Sequence, residues 1–146
     1  MVALLKFSIN RFVRKNNCQI EFNTSTSHKE LLVSGQAAAL GSIFENLFAN
    51  GCEAMSEKEV KKLTVNLSLE HKNVIVRFSD KGTGIASTKW EQIFQPNFTS
   101  KPDGKGGFGL YFARQTIEKF RGTITVEKSS LNRGTTFLLK FPVITD

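Results

Sequence analysis

The chain is poor in several residue types, and each shortage argues against a class of protein. Among its 146 residues it has two cysteines, three prolines, one tryptophan and one tyrosine. Cys18 and Cys52 belong to no CxxC pair and have no histidine beside them, so buried thiols in a reducing, cytoplasmic setting are predicted rather than a metal site. No apolar run approaches the roughly 18 residues of a membrane helix, and no secretory signal pattern opens the chain. No membrane contact is therefore predicted for this domain.

Acidic residues are also in the minority. Lysine and arginine number 20 against 13 aspartates and glutamates, so the formal net charge is +7. The basic residues are scattered, and they form neither an aromatic-interleaved basic face nor a known DNA-binding motif. A solvated surface is the favoured interpretation, and no nucleic-acid partner is predicted. The length suits one domain with one core.

Hydrophobic periodicity predicts an α+β protein. A three-to-four spacing of apolar residues predicts helices over residues 37–55 and 108–120 and a short helix over 88–94. Alternation predicts strands over 18–23, 63–69, 73–79, 123–127 and 135–141, with a further short strand over 31–33. Residues 1–16 fit either a short helix or an extended lead-in. Because helices and strands mix without strict βαβ alternation, a largely antiparallel sheet is expected.

Two asparagines stand out on the first of these helices. Asn46 and Asn50 are four residues apart and therefore share one helix face. Two amides on an apolar helix are costly unless they have partners, and backbone hydrogen bonds would be the simplest explanation for an isolated pair. The alternative is functional, because the carbonyl oxygen of Asn50 suits Mg²⁺, which takes few protein ligands.

A carboxylate and two glycines follow the strand over residues 73–79. Asp80 at this strand end can accept a hydrogen bond from the exocyclic amine of adenine. Gly82 and Gly84 allow the backbone to approach a ligand closely. An ordinary hairpin turn explains the same residues when they are taken alone.

A glycine-rich stretch precedes the last helix. Glycines before a helix offer free N–H groups for anions, so Gly107 and Gly109 are candidate phosphate contacts, with Lys101 and Lys105 to stabilise phosphate charge. The segment over 96–107 has few apolar anchors and is predicted to be mobile. A plain surface loop is the competing interpretation. The stretch is neither a GxxxxGK[ST] loop nor a complete dinucleotide-binding fingerprint.

Taken in order, these stretches resemble the ATP-binding catalytic domain of two-component sensor histidine kinases. ENLFANGCEAM (45–55) is similar to the N box, DKGTGI (80–85) to the first glycine box and IFQPNFTSK (93–101) to the F box. Residues 106–127 are similar to the second glycine box with the helix and strand after it, and GTTF (134–137) resembles the family's closing strand. The resemblance covers residues 31–142. It implies the Bergerat fold, which gyrase, heat-shock chaperone ATPases and MutL share.

The resemblance implies a structure and residue roles. The expected fold is a two-layer α/β sandwich, with a mixed, mostly antiparallel sheet covered by helices on one face and a mobile ATP lid over 96–106. Asn50 would coordinate Mg²⁺ with Asn46 assisting, Asp80 would read adenine, and Lys101 would stabilise phosphate charge. The remaining nucleotide contacts implied are Gly82, Gly84, Phe94, Phe98, Thr99, Gly107, Gly109, Leu110 and Thr135. Lys105 replaces the first glycine of the family's GxGxGL pattern, which indicates a variant lid.

The resemblance also implies an activity. The ATPases of this superfamily that activate water carry a glutamate at the position of Asn46. Glu45 of this chain lies about 100° around the helix from Asn46. Slow ATP hydrolysis and γ-phosphate transfer to a histidine are therefore expected. His28 and His71 lie in turns, so the acceptor is assigned to a dimerisation domain absent from this chain. Residues 1–16 would be the junction to it and 17–146 the catalytic domain.

Partners and alternatives follow from the same resemblance. The histidine-containing dimerisation domain would be the direct partner and an acidic response-regulator receiver domain an indirect one. The domain would be cytoplasmic, in a full-length protein that can be membrane-anchored. Two alternatives stay open: a nucleotide-dependent interaction module, and a serine-protein kinase of the anti-sigma type with the same fold.

Overall fold

The computed structural model describes residues 1–25, 31–98 and 109–144. Three α-helices and five strands make up the regular structure of these ranges. In chain order they are α1 (Val2–Lys15), β1 (Gln19–Thr24), α2 (Ala37–Ala54), β2 (Lys62–Glu70), β3 (Asn73–Ser79), α3 (Gly109–Lys119), β4 (Thr123–Ser130) and β5 (Gly134–Pro142). Two single 3₁₀ turns, Ser87–Lys89 and Gln92–Phe94, lie between β3 and α3.

The five strands form one mixed sheet in the order β1-β2-β3-β5-β4. β1 and β2 are parallel and are connected through α2, whereas all other neighbours are antiparallel. β2 and β3 form a tight hairpin in which His71 and Lys72 both have positive φ, 48° and 65°. Two such residues are typical of the turn that matches the twist of paired strands. The predicted α+β class with a mostly antiparallel sheet is confirmed.

One face of the sheet carries the core. Alternate residues of β2 are buried, β3 and β5 bury most of their residues, and α2 packs on β2 and β3. The ring of Phe78 lies 5.7 Å from that of Phe44 and 5.6 Å from that of Phe48. On the opposite face, Arg77 pairs with Glu70 and Glu127. The described helices therefore cover one face of the sheet, as the resemblance to a two-layer α/β sandwich implied.

Helix α1 packs against α2. Its buried residues Leu5, Ile9 and Phe12 recur at three-to-four spacing, and the ring of Phe12 lies 5.5 Å from that of Phe48. This apolar stripe supplies the packing that stabilises a helix of this length in water. Residues 2–15 are therefore helical rather than extended. Their role as a junction to another domain stays a prediction.

Two predicted elements were wrong in detail. The strand over 31–33 is reduced to a single bridge between Val33 and Val143. The carbonyl oxygens of this segment bond to two separate parts of the chain, because Leu31 O accepts from the amino terminus and Leu32 O accepts from Ile144 N–H. The helix over 88–94 is instead the two 3₁₀ turns, a common conformation for short connectors. β4 is longer than predicted and contains an irregularity between Val126 and Lys128.

Several predicted residues lie outside the described ranges. They include most of the expected lid and part of the polar turn that contains His28. The site residues among them are Thr99, Lys101, Lys105 and Gly107.

Candidate functional site

The asparagine pair lies where α2 meets the start of α3. Asn46 and Asn50 are both half-buried on α2. A Cβ atom added to Gly109, the first residue of α3, would lie 2.5 Å from Asn46 Nδ2 and 2.8 Å from Asn46 Oδ1. No real Cβ approaches so closely, so glycine at this position lets the amide touch the backbone of α3. Leu110 follows and packs against the core.

A second close approach brings α2 to the end of β3. Gly51, next to Asn50, is buried, and a Cβ added to it would collide with the Leu63 side chain of β2. The same added atom would lie 3.5 Å from Asp80 Cβ. Gly51 therefore places the turn that carries Asn50 beside Asp80. Sequence reasoning missed this role, although a glycine inside a helical pattern was a usable signal.

Asp80 is held by backbone groups on both sides. Its own N–H donates to Thr135 O at 2.9 Å, and Gly82 N–H donates to Asp80 Oδ1 at 2.8 Å. Burial raises the pKa of the Asp80 carboxyl, and this outweighs the lowering effect of the N–H groups of Gly82 and Thr135. The carboxylate is thus an acceptor in a partly desolvated position, the arrangement expected at ligand sites.

The loop after Asp80 is held between α2 and the β4–β5 hairpin. A Cβ at Gly82 would lie 2.5 Å from Ala54 O, and Thr83 N–H donates to that same oxygen at 3.1 Å. Gly84 has φ +74°, and a Cβ there would collide with Ser130 O. Positive φ and lack of space both require glycine at Gly84. The loop is therefore a closely packed part of the site.

A serine that sequence reasoning missed connects this loop to Thr135. Ser129 Oγ lies 2.7 Å from Thr135 Oγ1, accepts Ile85 N–H at 2.7 Å and donates to Gly134 O at 3.0 Å. Thr135 itself is buried. In the observed register Ser129 is the partner of Thr135, and the predicted strand over 123–127 missed this pair because it ended before residue 129.

A cavity of about 170 Å³ opens beside Asp80 and Thr135. The β4–β5 hairpin supplies its other lining residues, which are Lys128, Ser129, Ser130, Arg133, Gly134 and Thr136. Asn46 and Asn50 do not line it. Among the described residues, the asparagine pair and the cavity are therefore connected through Asp80 rather than by one continuous pocket.

The two phenylalanines of the predicted F box pack against the core. Phe94 is buried and Phe98 is half-buried against the core. The guanidinium of Arg114 lies 3.7 Å from the centre of the Phe94 ring, and the Phe137 ring makes an edge contact at 6.3 Å. A cation above an aromatic face is attracted by the ring's negative potential. Phe94 thus anchors the start of the segment that leads to α3.

The structure brings together most of the described candidates. Asn46 meets Gly109, the helix turn of Asn50 lies beside Asp80, and Asp80 is bonded to Gly82 and Thr135. Phe94 and Phe98 lie in the core rather than among these polar groups. An α/β sandwich with a half-buried acceptor carboxylate facing an amide-bearing helix is typical of the class of Bergerat-type nucleotide-binding domains.

Comparison with known proteins identifies the family. The chain belongs to the histidine kinase-, DNA gyrase B- and HSP90-like ATPases, whose family model matches residues 35–145. It is 30% identical over 144 residues to the sensor histidine kinase ZraS of Escherichia coli O157:H7, covering 97% of this chain. It is 32% identical over 104 residues, 71% of this chain, to a probable C4-dicarboxylate sensor kinase of Bacillus subtilis. The resemblance to sensor histidine kinases is confirmed.

Solved structures agree with the fold. The nucleotide-free catalytic domain of the histidine kinase ThkA superposes with a TM-score of 0.80 at 27% identity, covering 98% of this chain and 92% of that domain. The chain spans only 30% of the length of ZraS and 19% of the Bacillus protein. No helix within the described residues is both long and apolar enough to cross a membrane.

Proposed function

We propose that this chain binds Mg-ATP and transfers the γ-phosphate to a histidine on a dimerisation domain outside the chain. The observation that carries the proposal is the contact of α2 with Asp80 through Gly51, because it places a candidate metal-binding amide next to a half-buried acceptor carboxylate. Phosphoryl transfer depends mainly on positioning and charge stabilisation, which such a site can supply.

The base would bind at the Asp80 end. The Asp80 carboxylate accepts Gly82 N–H at Oδ1 and retains lone pairs for an exocyclic amine. Thr135 lies against Asp80 through the backbone bond from Asp80 N–H, and its hydroxyl offers a second polar group. These two residues suit adenine, either directly or through water.

The phosphates would lie at the Asn50 end. Mg²⁺ would hold phosphate oxygens in place and neutralise their charge. Asn50 would supply one amide oxygen to the ion, and Asn46 would assist from the next turn. Asn46 also contacts Gly109, and the start of α3 offers N–H groups that favour anions. The contributions of Thr99, Lys101 and Gly107 stay predictions.

Transfer is favoured over hydrolysis by the position of Glu45. Its carboxylate pairs with Arg11 of α1 at 3.4 Å, whereas Asn46 on the same helix faces Gly109. A general base must reach the water that it deprotonates, and an amide cannot take up a proton. The face of α2 that carries Asn50 therefore has no carboxylate at the Asn46 position to activate water.

Calorimetric titration with ADP and a non-hydrolysable ATP analogue tests the binding step. We expect saturable binding to the wild type, a requirement for Mg²⁺ by the ATP analogue, and at least about tenfold weaker binding by Asp80→Asn, the loss of one charged hydrogen bond. Glu59→Gln, an exposed acidic residue far from these contacts, is the matched control. Absence of binding by folded wild-type protein would contradict the proposal and favour an interaction module that has lost its nucleotide.

The acceptor can be identified by chemical stability of the label. Labelled Mg-ATP is added to the chain with dimerisation domains from related sensor kinases. A label that is stable in base and lost in acid indicates phosphohistidine and supports the proposal. The opposite stability indicates phosphoserine and favours a serine-protein kinase. Subsequent loss of the label to an added receiver domain would support the indirect partner.

A further inference from the structure

The hydroxyl of Ser129 has three partners within hydrogen-bond distance. Ile85 N–H can only donate to it, Gly134 O can only accept from it, and Thr135 Oγ1 lies at 2.7 Å. A serine hydroxyl has one proton and two lone pairs. If the proton of Ser129 is directed to Gly134 O, all three contacts are satisfied only when Thr135 donates its own proton to Ser129. This arrangement is the one that leaves no contact without a hydrogen.

The consequence falls on Thr135. With its proton directed to Ser129, Thr135 Oγ1 offers only lone pairs elsewhere. Asp80, bonded to Thr135 through the backbone, is an acceptor as well when it is ionised. The two groups therefore form an acceptor-only surface. A base that presents an amine can donate hydrogen bonds to this surface. A base that presents a carbonyl oxygen at the same place cannot, and its lone pairs would repel those of Asp80 and Thr135.

We propose that Ser129 is a specificity-determining positioning residue, which orients the Thr135 hydroxyl so that the site prefers a 6-amino purine to a 6-oxo purine. The proposal rests on the proposed function, because it concerns the base-binding end of the same site. Ser129 acts through Thr135 and need not touch the nucleotide.

The surroundings keep this orientation in place. Two of the three partners of Ser129 are backbone groups, so they cannot rotate away as side chains can. Thr135 is only 5% exposed, which leaves little room for water to compete for its proton. Ser129 and Thr135 are also paired across β4 and β5, so the register of the hairpin keeps the two hydroxyls together.

The test compares ADP with IDP, which carries a carbonyl oxygen in place of the amine. Affinities are measured by calorimetry for wild type, Ser129→Ala and Ser129→Thr, with Ser68→Ala on the opposite face of the sheet as control. In Ser129→Ala the Thr135 hydroxyl is free to rotate and donate. We expect the preference for ADP over IDP to fall by roughly three- to tenfold, the worth of one neutral hydrogen bond. Ser129→Thr retains the hydroxyl and should restore the preference.

A purely structural role would give a different pattern. If Ser129 only holds the loop through Ile85, Ser129→Ala should weaken ADP and IDP by the same factor, and an unchanged ratio overturns the proposal. Thr135→Val removes the acceptor while leaving the bonds of Ser129 to Ile85 and Gly134. The ratio of its ADP affinity to its IDP affinity should fall as well. An unchanged ratio in Thr135→Val therefore overturns the proposal even if Ser129→Ala fails to fold. Wild-type protein that binds neither nucleotide contradicts the proposed function itself, and this inference with it.

Discussion

Asp80 combines a proposed role in nucleotide binding with a cost in stability. Burial raises the pKa of its carboxyl, so the folded chain favours the neutral form more than the unfolded chain does. The stabilising contribution of such a group is complete below its unfolded pKa and is lost as pH rises through the folded pKa. At neutral pH, the ionised carboxylate therefore makes the fold less stable than a neutral group of the same shape would.

This balance predicts opposite effects of Asp80→Asn on stability and on binding. At pH 7 the variant should unfold at the same or a higher temperature than wild type, and its advantage should shrink as the pH is lowered toward 4. ADP binding should weaken at the same time, by at least about tenfold. Thermal unfolding and calorimetry at both pH values measure the two effects. A variant that is less stable than wild type at pH 7 would show that the ionised carboxylate stabilises the apo fold.

Glu45 and Asn46 are neighbours in sequence with different surroundings. Glu45 pairs with Arg11, and Asn46 contacts Gly109. We expect the chain to hydrolyse ATP slowly and Glu45→Ala to leave that rate unchanged, because this carboxylate is directed to α1. Asn46→Glu introduces a carboxylate on the helix face that carries Asn50 and should raise the rate of ATP hydrolysis. Release of inorganic phosphate measures both. Steady turnover that Glu45→Ala abolishes would contradict the assignment.

At the scale of elements, the Arg114 side chain of α3 makes contacts with two neighbouring elements. Arg114 donates to Glu91 at 2.9 Å and to Ile124 O at 3.0 Å, and its guanidinium lies over the Phe94 ring. It therefore connects α3 to β4 and to the 3₁₀ turn at Gln92–Phe94. These contacts also hold the start of α3, where Gly109 meets Asn46.

Arg114→Ala should lower the free energy of unfolding by about 1–3 kcal/mol, because it leaves Ile124 O without this donor and removes the cation above Phe94. Arg114→Lys should recover only part of the loss, since an ammonium cannot reproduce the planar contacts of a guanidinium. Glu91→Gln is the control. The Glu91 side chain is 78% exposed, so its ion pair should contribute at most about 1 kcal/mol. Urea unfolding measures all three variants, and equal losses for Arg114→Ala and Glu91→Gln would contradict the account.

At the scale of the whole molecule, the sheet has one packed face and one open face. Arg77 and Phe78 are consecutive on β3 and point to opposite sides. Phe78 is buried between the aromatic rings of α2, whereas Arg77 pairs with Glu70 and Glu127 on the face that none of the described helices covers. Substitutions at these two residues therefore test the energetic contribution of each face of the sheet separately.

The two-layer arrangement predicts a large difference between these neighbours. Phe78→Ala should cost about 3–5 kcal/mol of unfolding free energy through lost packing and a cavity. Arg77→Ala should cost only about 0–1 kcal/mol, since partly exposed ion pairs contribute little. Denaturant unfolding of the two variants gives the comparison. A similar cost for both would indicate that the open face is covered by part of the chain or by a partner.

Local pattern in the sequence determined much of this architecture. Apolar spacing predicted α2 and α3, alternation predicted the five strands, and the ordered motifs predicted the family and the roles of Asn50 and Asp80. These features depend on neighbours within a few residues or on short stretches whose chemistry is recognisable by itself. The strand predicted over 31–33 was wrong because a strand needs a partner along its length, and among the described residues this segment forms a single bridge, to Val143.

Contacts between distant segments were decided only by the tertiary structure. Nothing in the local pattern pairs Glu45 with Arg11, brings Ser129 into contact with Ile85 N–H, or places Arg114 over Phe94. Each contact joins residues that are far apart in the chain, and each depends on how the helices lie on the sheet. The direction of a side chain and the proton that a hydroxyl donates are set by those neighbours. The sequence by itself therefore determined which elements and chemical groups are present, and the fold decided which groups face one another, because packing fixes distances that residue spacing does not specify.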